Sequence, residues 1–179
     1  MKIKLRPGSL PPDWPLRRPE TLIVTWFGTG LAPMASGTWG SLAALPLAWL
    51  AVVAGGWWGL AAATVAASLA GIWAAERIVS GGDVRDPGYI VIDEVAGMLL
   101  TLLFVPFTWW AWALAFFLFR AADIVKPFPA DWCDAHVHGG LGVMLDDLVA
   151  GLYAGLCAGL CGLLVMELGG EVFLARLGG

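Results

Sequence analysis

The chain has 179 residues, enough for one domain, and its three cysteines form no C-x-x-C pair, which excludes a zinc ribbon and a disulfide framework. Only 13% of residues are charged and 59% are hydrophobic, against about a quarter charged in soluble domains. With a mean hydropathy of +0.79, the composition argues for an integral membrane protein and against a solvated domain. A net charge of -4 gives no basic excess, and no nucleic-acid partner is expected.

Residues 1–20 are proline-rich and read as an irregular tail. Five basic residues (Lys2, Lys4, Arg6, Arg17, Arg18) face Asp13 and Glu20 there. No apolar core follows directly, so the segment is no signal peptide, and its basic balance suits a cytoplasmic, headgroup-facing position. Residues 21–40 mix apolar residues with Gly, Ser, Thr and Pro. They are too broken for a full span and are expected to dip into the interface or pack beneath the helices. A first helix is predicted over 41–54, a break at Gly55-Gly56, and a second helix from Trp57 to about 79. A polar loop follows to residue 89. A third helix runs from near Val91 to Pro106, and a fourth from 109 to 125, stopped by Pro127 and Pro129. Residues 130–145 read as a partly helical, Gly-rich loop, and the last helix covers 145–168.

Nothing charged lies between Glu20 and Glu76, Glu94 and Arg120, or Asp147 and Glu167. Each gap holds one or two bilayer-embedded helices. Residues 95–119 could form one crossing or a hairpin. Pro106 and the cluster Trp109, Trp110, Trp112 favour the hairpin, with these tryptophans and Trp57-Trp58 forming an interfacial belt opposite the charges. The fold class is thus an all-α, multi-helix membrane bundle of short helices, with its charged loops gathered on one face.

Three clusters could carry chemistry. Asp93-Glu94 are adjacent, so their side chains diverge by about 100° on a helix. Arg120, Asp123 and Lys126 are spaced for one helix flank. Asp146-Asp147 open a helix whose Gly151, Gly155 and Gly159 continue the row from Asp147. Small residues at that spacing allow close packing, which aims Asp147 into the bundle. Five carboxylates (Asp93, Glu94, Asp123, Asp146, Asp147) form an all-oxygen ligand set, which selects a hard cation such as Mg²⁺. Arg120 and Lys126 are suited to phosphate oxygens, and one carboxylate would act as base toward water. His136 and His138 could reach a phosphate or protonate a leaving group. Phosphatase and cysteine-nucleophile alternatives with C-x5-R, D-x-D-x-T/V or GxxxxGK[ST] signatures are absent.

Four blocks then match a known family: GTGLAPMASGTWGSLAALP (28–46), GYIVIDEVAGM (88–98), FRAADIVKPFPA (119–130) and HVHGGLGVMLDDLVAG (136–151). In their order and spacing the chain resembles bacterial phosphatidylglycerophosphatase A. Ala122 and Ala130 depart from the usual pattern, but both are apolar and leave the charged positions intact. The resemblance implies a single domain over 1–179. It further implies a Mg²⁺-dependent hydrolysis of phosphatidylglycerophosphate to phosphatidylglycerol and phosphate. The expected setting is the cytoplasmic face of a bacterial inner membrane, in a multi-pass and possible homo-oligomeric protein with a phospholipid substrate. By position it carries over Asp93, Glu94, Asp123 and Asp147 as catalytic residues. The same four with Asp146 become metal ligands, and Arg120, Lys126, Thr38 and Ser41 become phosphate-binding residues. A small ion or proton transporter is the competing class, since buried acids also mark such pathways. The charges, however, gather at helix ends rather than at midplane. A noncatalytic assembly protein held by the glycine row is a third reading.

Overall fold

The computed structural model describes residues 10–11, 14–80 and 87–177, with backbone alone at 166 and 168–177. Most of the basic tail and the polar loop 81–86 therefore lie outside the described residues. The elements are α1 (Pro19–Val24), a 3-10 turn (Thr29–Leu31), α2 (Ser36–Val79), α3 (Ile92–Leu102), α4 (Trp109–Val125), α5 (Ala130–His136) and α6 (Gly139–Leu177). No strand occurs among the described residues, and the all-α expectation holds.

α2 is folded in two. Gly55 and Gly56 leave helical geometry, and Gly56 takes φ 58°, a left-handed value that glycine adopts without strain. The reversal is sharp. Gly59 abuts the backbone of Ala51, whereas eight residues of straight helix would separate them by about 12 Å. The two arms consequently start and finish at the same end of the bundle. The expected break is in place, but α2 starts at Ser36 rather than residue 41. The Gly, Ser and Thr residues that read as helix breakers are small groups on its packing face. Gly37, Gly40, Ser41, Ala44 and Ala48 are all buried, and Gly40 lies against Val91. Ser36 secures the start by donating its hydroxyl to Gly88 O at 2.8 Å.

α3 is the central helix. Its residues are buried on every side apart from Glu94 and Leu100, which are half-buried, the pattern of a helix enclosed by others. It stops at Leu102, short of Pro106, because Leu103 N–H and Phe104 N–H turn back to Leu100 O and Thr101 O in tightened i,i+3 bonds. α4 then returns beside it. Trp57 at the α2 fold donates its indole N–H to Leu103 O at 3.0 Å, so both reversals lie at one level. Around them Trp58 is 77% and Trp109 84% exposed. The hairpin reading of 95–119 therefore holds.

α6 begins at Gly139, six residues before the expected start. Gly140 N–H donates to Glu76 Oε2 at 2.6 Å, a carboxylate cap from the end of α2 that satisfies an otherwise orphaned donor and complements the helix dipole. A methyl at Gly140 would lie 2.5 Å from Glu76 N, so glycine here serves helix contact, not disorder. Replacing Glu76 by alanine removes the cap. The variant should lose about 1–2 kcal/mol of stability, read as a lowered midpoint in thermal unfolding of the detergent-solubilised protein.

α2 and α6 are each long and apolar enough to cross a bilayer, and only 17% and 33% of their most apolar windows are buried within the protein. Their outward faces carry Trp49, Leu50, Leu156 and Leu160, each at least half exposed.

Candidate active site

The glycine row fixes the site. Gly151 packs on the carbonyl of Gly97 on α3, and a methyl at Gly97 would in turn meet Asp147 O at 2.6 Å. Gly155 and Gly159 continue the seam against Phe104. The Thr101 hydroxyl lies 2.9 Å from Gly97 O and 3.1 Å from Gly151 O, binding the two helices at their closest approach. Two backbones this near bring Asp147, one turn above Gly151, to the head of α3.

There Asp93 and Glu94 wait. The α3 start is anchored by Val91 N–H donating to Val24 O at 2.8 Å, which is how segment 21–40 packs beneath the bundle. Asp93 Oδ1 accepts the Glu94 N–H at 3.0 Å. One oxygen from each of Asp93, Glu94 and Asp147 lies within 4.8 Å of the others. Asp147 is only 3% exposed. Glu94 Oε2 and Asp147 Oδ2 are buried without a hydrogen-bond partner in the protein. Buried carboxylate oxygens with nothing to accept from are costly unless a cation compensates them. An all-oxygen set of this kind fits a hard divalent ion.

The end of α4 supplies the positive charge. Arg120 Nη1 pairs with Asp123 Oδ2 at 2.6 Å and donates to Ser41 Oγ at 3.3 Å, while its Nε is buried without a partner. The negative charge of Asp123 acts on both Asp147 and Glu94. Asp93, Glu94, Asp123, Asp147 and Arg120 thus form one centre drawn from three helices.

Gly37 closes the centre from α2. A side chain there would occupy the place of Glu94 Oε1, and would lie 3.2 Å from Arg120 Nη1. Sequence reading missed this residue, although the period of small residues at 37, 40, 41, 44 and 48 carried the signal. Ser41, fully buried, donates to Gly37 O at 2.9 Å and offers its lone pair to Arg120. That occupies it as a support of the guanidinium. Thr38 is half-buried on the same turn, with its N–H on Ala35 O. Ser41→Ala should leave the fold intact and reduce kcat about tenfold, the worth of one hydrogen bond to a charged group, with little change in KM. Steady-state phosphate release checks it.

Asp146 and Lys126 stand apart from the acid centre. Lys126 Nζ bonds Asp146 Oδ2 at 2.6 Å and Asp134 Oδ1 at 3.1 Å, tying α4, α5 and α6 together. Burial alone would depress the Lys126 ammonium. The hydrogen bonds and charges of Asp146, then Asp134, outweigh burial and hold it above the ordinary lysine range. His136 stacks on Trp132 at 5.0 Å, and both it and His138 are exposed. Cys157 and Cys161 are exposed on α6 and Cys133 is buried.

An all-helical, apolar chain that gathers buried carboxylates and a clamped arginine at one end of its helices offers the groups that phosphoryl chemistry requires. Residues 22–161 match the family model described as Phosphatidylglycerophosphatase A, and the chain belongs to that family, one of phosphoric monoester hydrolases. It is 38% identical over 138 residues to phosphatidylglycerophosphatase A of Escherichia coli K12, covering 76% of this chain and 80% of the relative. To the protein of the same name from Haemophilus influenzae Rd it is 38% identical over 139 residues, covering 77% and 85%. A Bacteroides thetaiotaomicron protein, provisionally named a phosphatidylinositol-3-phosphatase, is 39% identical over 149 residues, covering 77% and 92%. No solved structure matches.

Proposed function

We propose that this chain hydrolyses phosphatidylglycerophosphate to phosphatidylglycerol and inorganic phosphate, in a Mg²⁺-dependent reaction at the cytoplasmic face of a bacterial inner membrane. The observation that carries this reading is the triad Asp93, Glu94 and Asp147, with its two unpartnered buried oxygens, placed beside Arg120. Asp93, Glu94 and Asp147 would hold Mg²⁺, with Asp123 at their edge. The ion, when bound, supplies Lewis-acid stabilisation of phosphoryl charge and a more acidic water.

The protein's own groups do the rest. Arg120, held by Asp123 and Ser41, presents its guanidinium to the phosphoryl oxygens and neutralises charge as the bond to the leaving glycerol oxygen breaks. A carboxylate of the centre takes a proton from the attacking water. Burial of these groups strengthens each interaction. The helices favour a lipid substrate, since the acyl chains stay among apolar surfaces while the phosphate meets charges at the helix ends. In this reading α2 folds as two passes, α3 and α4 as a hairpin and α6 as the last pass, with the ends that carry Asp93, Glu94, Arg120 and Asp147 facing the cytoplasm.

The test is phosphate release from purified protein, supplied in parallel with phosphatidylglycerophosphate and phosphatidylinositol 3-phosphate. We expect turnover of the first, abolished by EDTA and restored by Mg²⁺. No release from it, or full activity in EDTA, refutes the reading, and preference for the inositol lipid reassigns the headgroup.

A further inference from the structure

Residues 26–35 supply no group to the acid centre, yet their backbone is strained. Trp26 and Phe27 take φ of 44° and 56°, left-handed values that side chains disfavour and that glycine normally fills at a helix end. They occupy the turn that closes α1, where Phe27 N–H donates to Leu22 O at 2.8 Å. Such strain persists where it serves a role. Its outcome here is an aromatic thrust outward. Phe27 is 71% exposed, Met34 on the same segment 79%, and Trp39 53%. Trp39 lines an open recess with Gly28, Thr29, Leu31 and Ala32.

The recess shares the first turn of α2 with the acid centre, Trp39 on the outer side and Gly37 on the inner. Two residues before Trp39, Gly37 lies against Glu94, and Gly30 packs on Tyr89 O, four residues before Asp93. Charge also identifies the occupant. Arg17 and Arg18 are exposed just upstream, with Arg18 5.0 Å over the Trp14 ring. Glu20 is neutralised by Arg77 at 3.0 Å. The described surface of this segment is therefore basic as well as aromatic, the combination that suits anionic headgroups above an acyl layer. It is continuous with exposed Leu42, Trp49 and Val53 down the outer flank of α2.

We propose that Phe27, Met34 and Trp39 form a lipid-contact rim that enters the headgroup–acyl boundary of an anionic bilayer, on the outer side of the α2 turn that closes the centre. A phospholipid then meets Glu94 and Arg120 without leaving the membrane. The rim deepens the lipid-phosphatase reading and rests on it for its purpose, but its insertion can be measured without turnover.

Single cysteines are placed at Phe27, Met34 and, as a polar control, exposed Asp131, in a background with Cys133, Cys157 and Cys161 replaced by alanine. Each carries a nitroxide in the full-length protein, reconstituted in vesicles of phosphatidylethanolamine and phosphatidylglycerol. Collisions with oxygen should exceed those with a water-soluble nickel chelate at 27 and 34, with the reverse at 131. Nickel dominance at 27 and 34 overturns the proposal and would leave the rim free for a protein partner. In parallel, Phe27→Asp should raise KM for vesicle-borne substrate about tenfold, the effect of losing one buried aromatic, with kcat retained. Phe27→Trp should restore it, and unchanged KM in Phe27→Asp counts against the rim. If the wild-type protein releases no phosphate, the catalytic reading falls while the nitroxide result still decides the rim.

Discussion

Replacing Asp147 by asparagine should reduce phosphate release by about a thousandfold or more, the scale of losing a charged group that acts on the transition state. The substitution keeps the shape of a side chain that is 3% exposed and removes the charge whose Oδ2 has no other partner in the protein. Asp93→Asn and Asp123→Asn should behave alike, because all three meet in one centre. Asp146→Asn is the informative contrast. Its carboxylate is engaged by Lys126 at 2.6 Å, so its loss should loosen the joint between α4 and α6 and lower activity far less. All variants should remain in the membrane fraction. Near-normal rates for Asp93→Asn, Asp123→Asn and Asp147→Asn at saturating Mg²⁺ would sink the carboxylate-centre model.

A single methyl should do nearly as much damage. Gly37→Ala places its Cβ where Glu94 Oε1 sits and 3.2 Å from Arg120 Nη1, so both charged side chains must shift from the centre. We expect a loss of kcat of about a hundredfold or more, from displacement of the carboxylate and the guanidinium together. Gly55→Ala is the control, because a Cβ there meets nothing within 4 Å. Equal activity of the two variants would show that the α2–α3 contact does not shape the site.

Much of this was legible from charge spacing. The uncharged gaps placed the helices, Gly55-Gly56 placed the fold in α2, and Pro106 with its tryptophans placed the return of α4. The row from Asp147 through Gly159 pointed to a tight helix seam, and α3 is its partner. What escaped was the start of α2 and of α6. α2 begins in a run of Gly, Ser and Thr and α6 in a run of Gly, whose low intrinsic helix propensity reads as loop. Only the partner surfaces, Val91 and Glu94 for α2 and Glu76 for α6, show that small size matters more there than propensity. The glycine row already aimed Asp147 inward, but the engagement of Asp146 by Lys126 was hidden. Adjacent side chains diverge by about 100°, and what meets Asp146 depends on where α4 and α5 dock. Ser41 illustrates the same limit. Its hydroxyl suited a phosphate, and only the position of Arg120 shows that its lone pair already has an occupant.

The two-residue fold at Gly55-Gly56, level with the short 103–108 turn, leaves the far pole of the molecule almost without loops. Among the described residues, the remaining links between these helices, 126–129 and 137–138, lie at the pole that carries the acids. Insertions or tags between these helices would be tolerated, if anywhere, only where they endanger the chemistry.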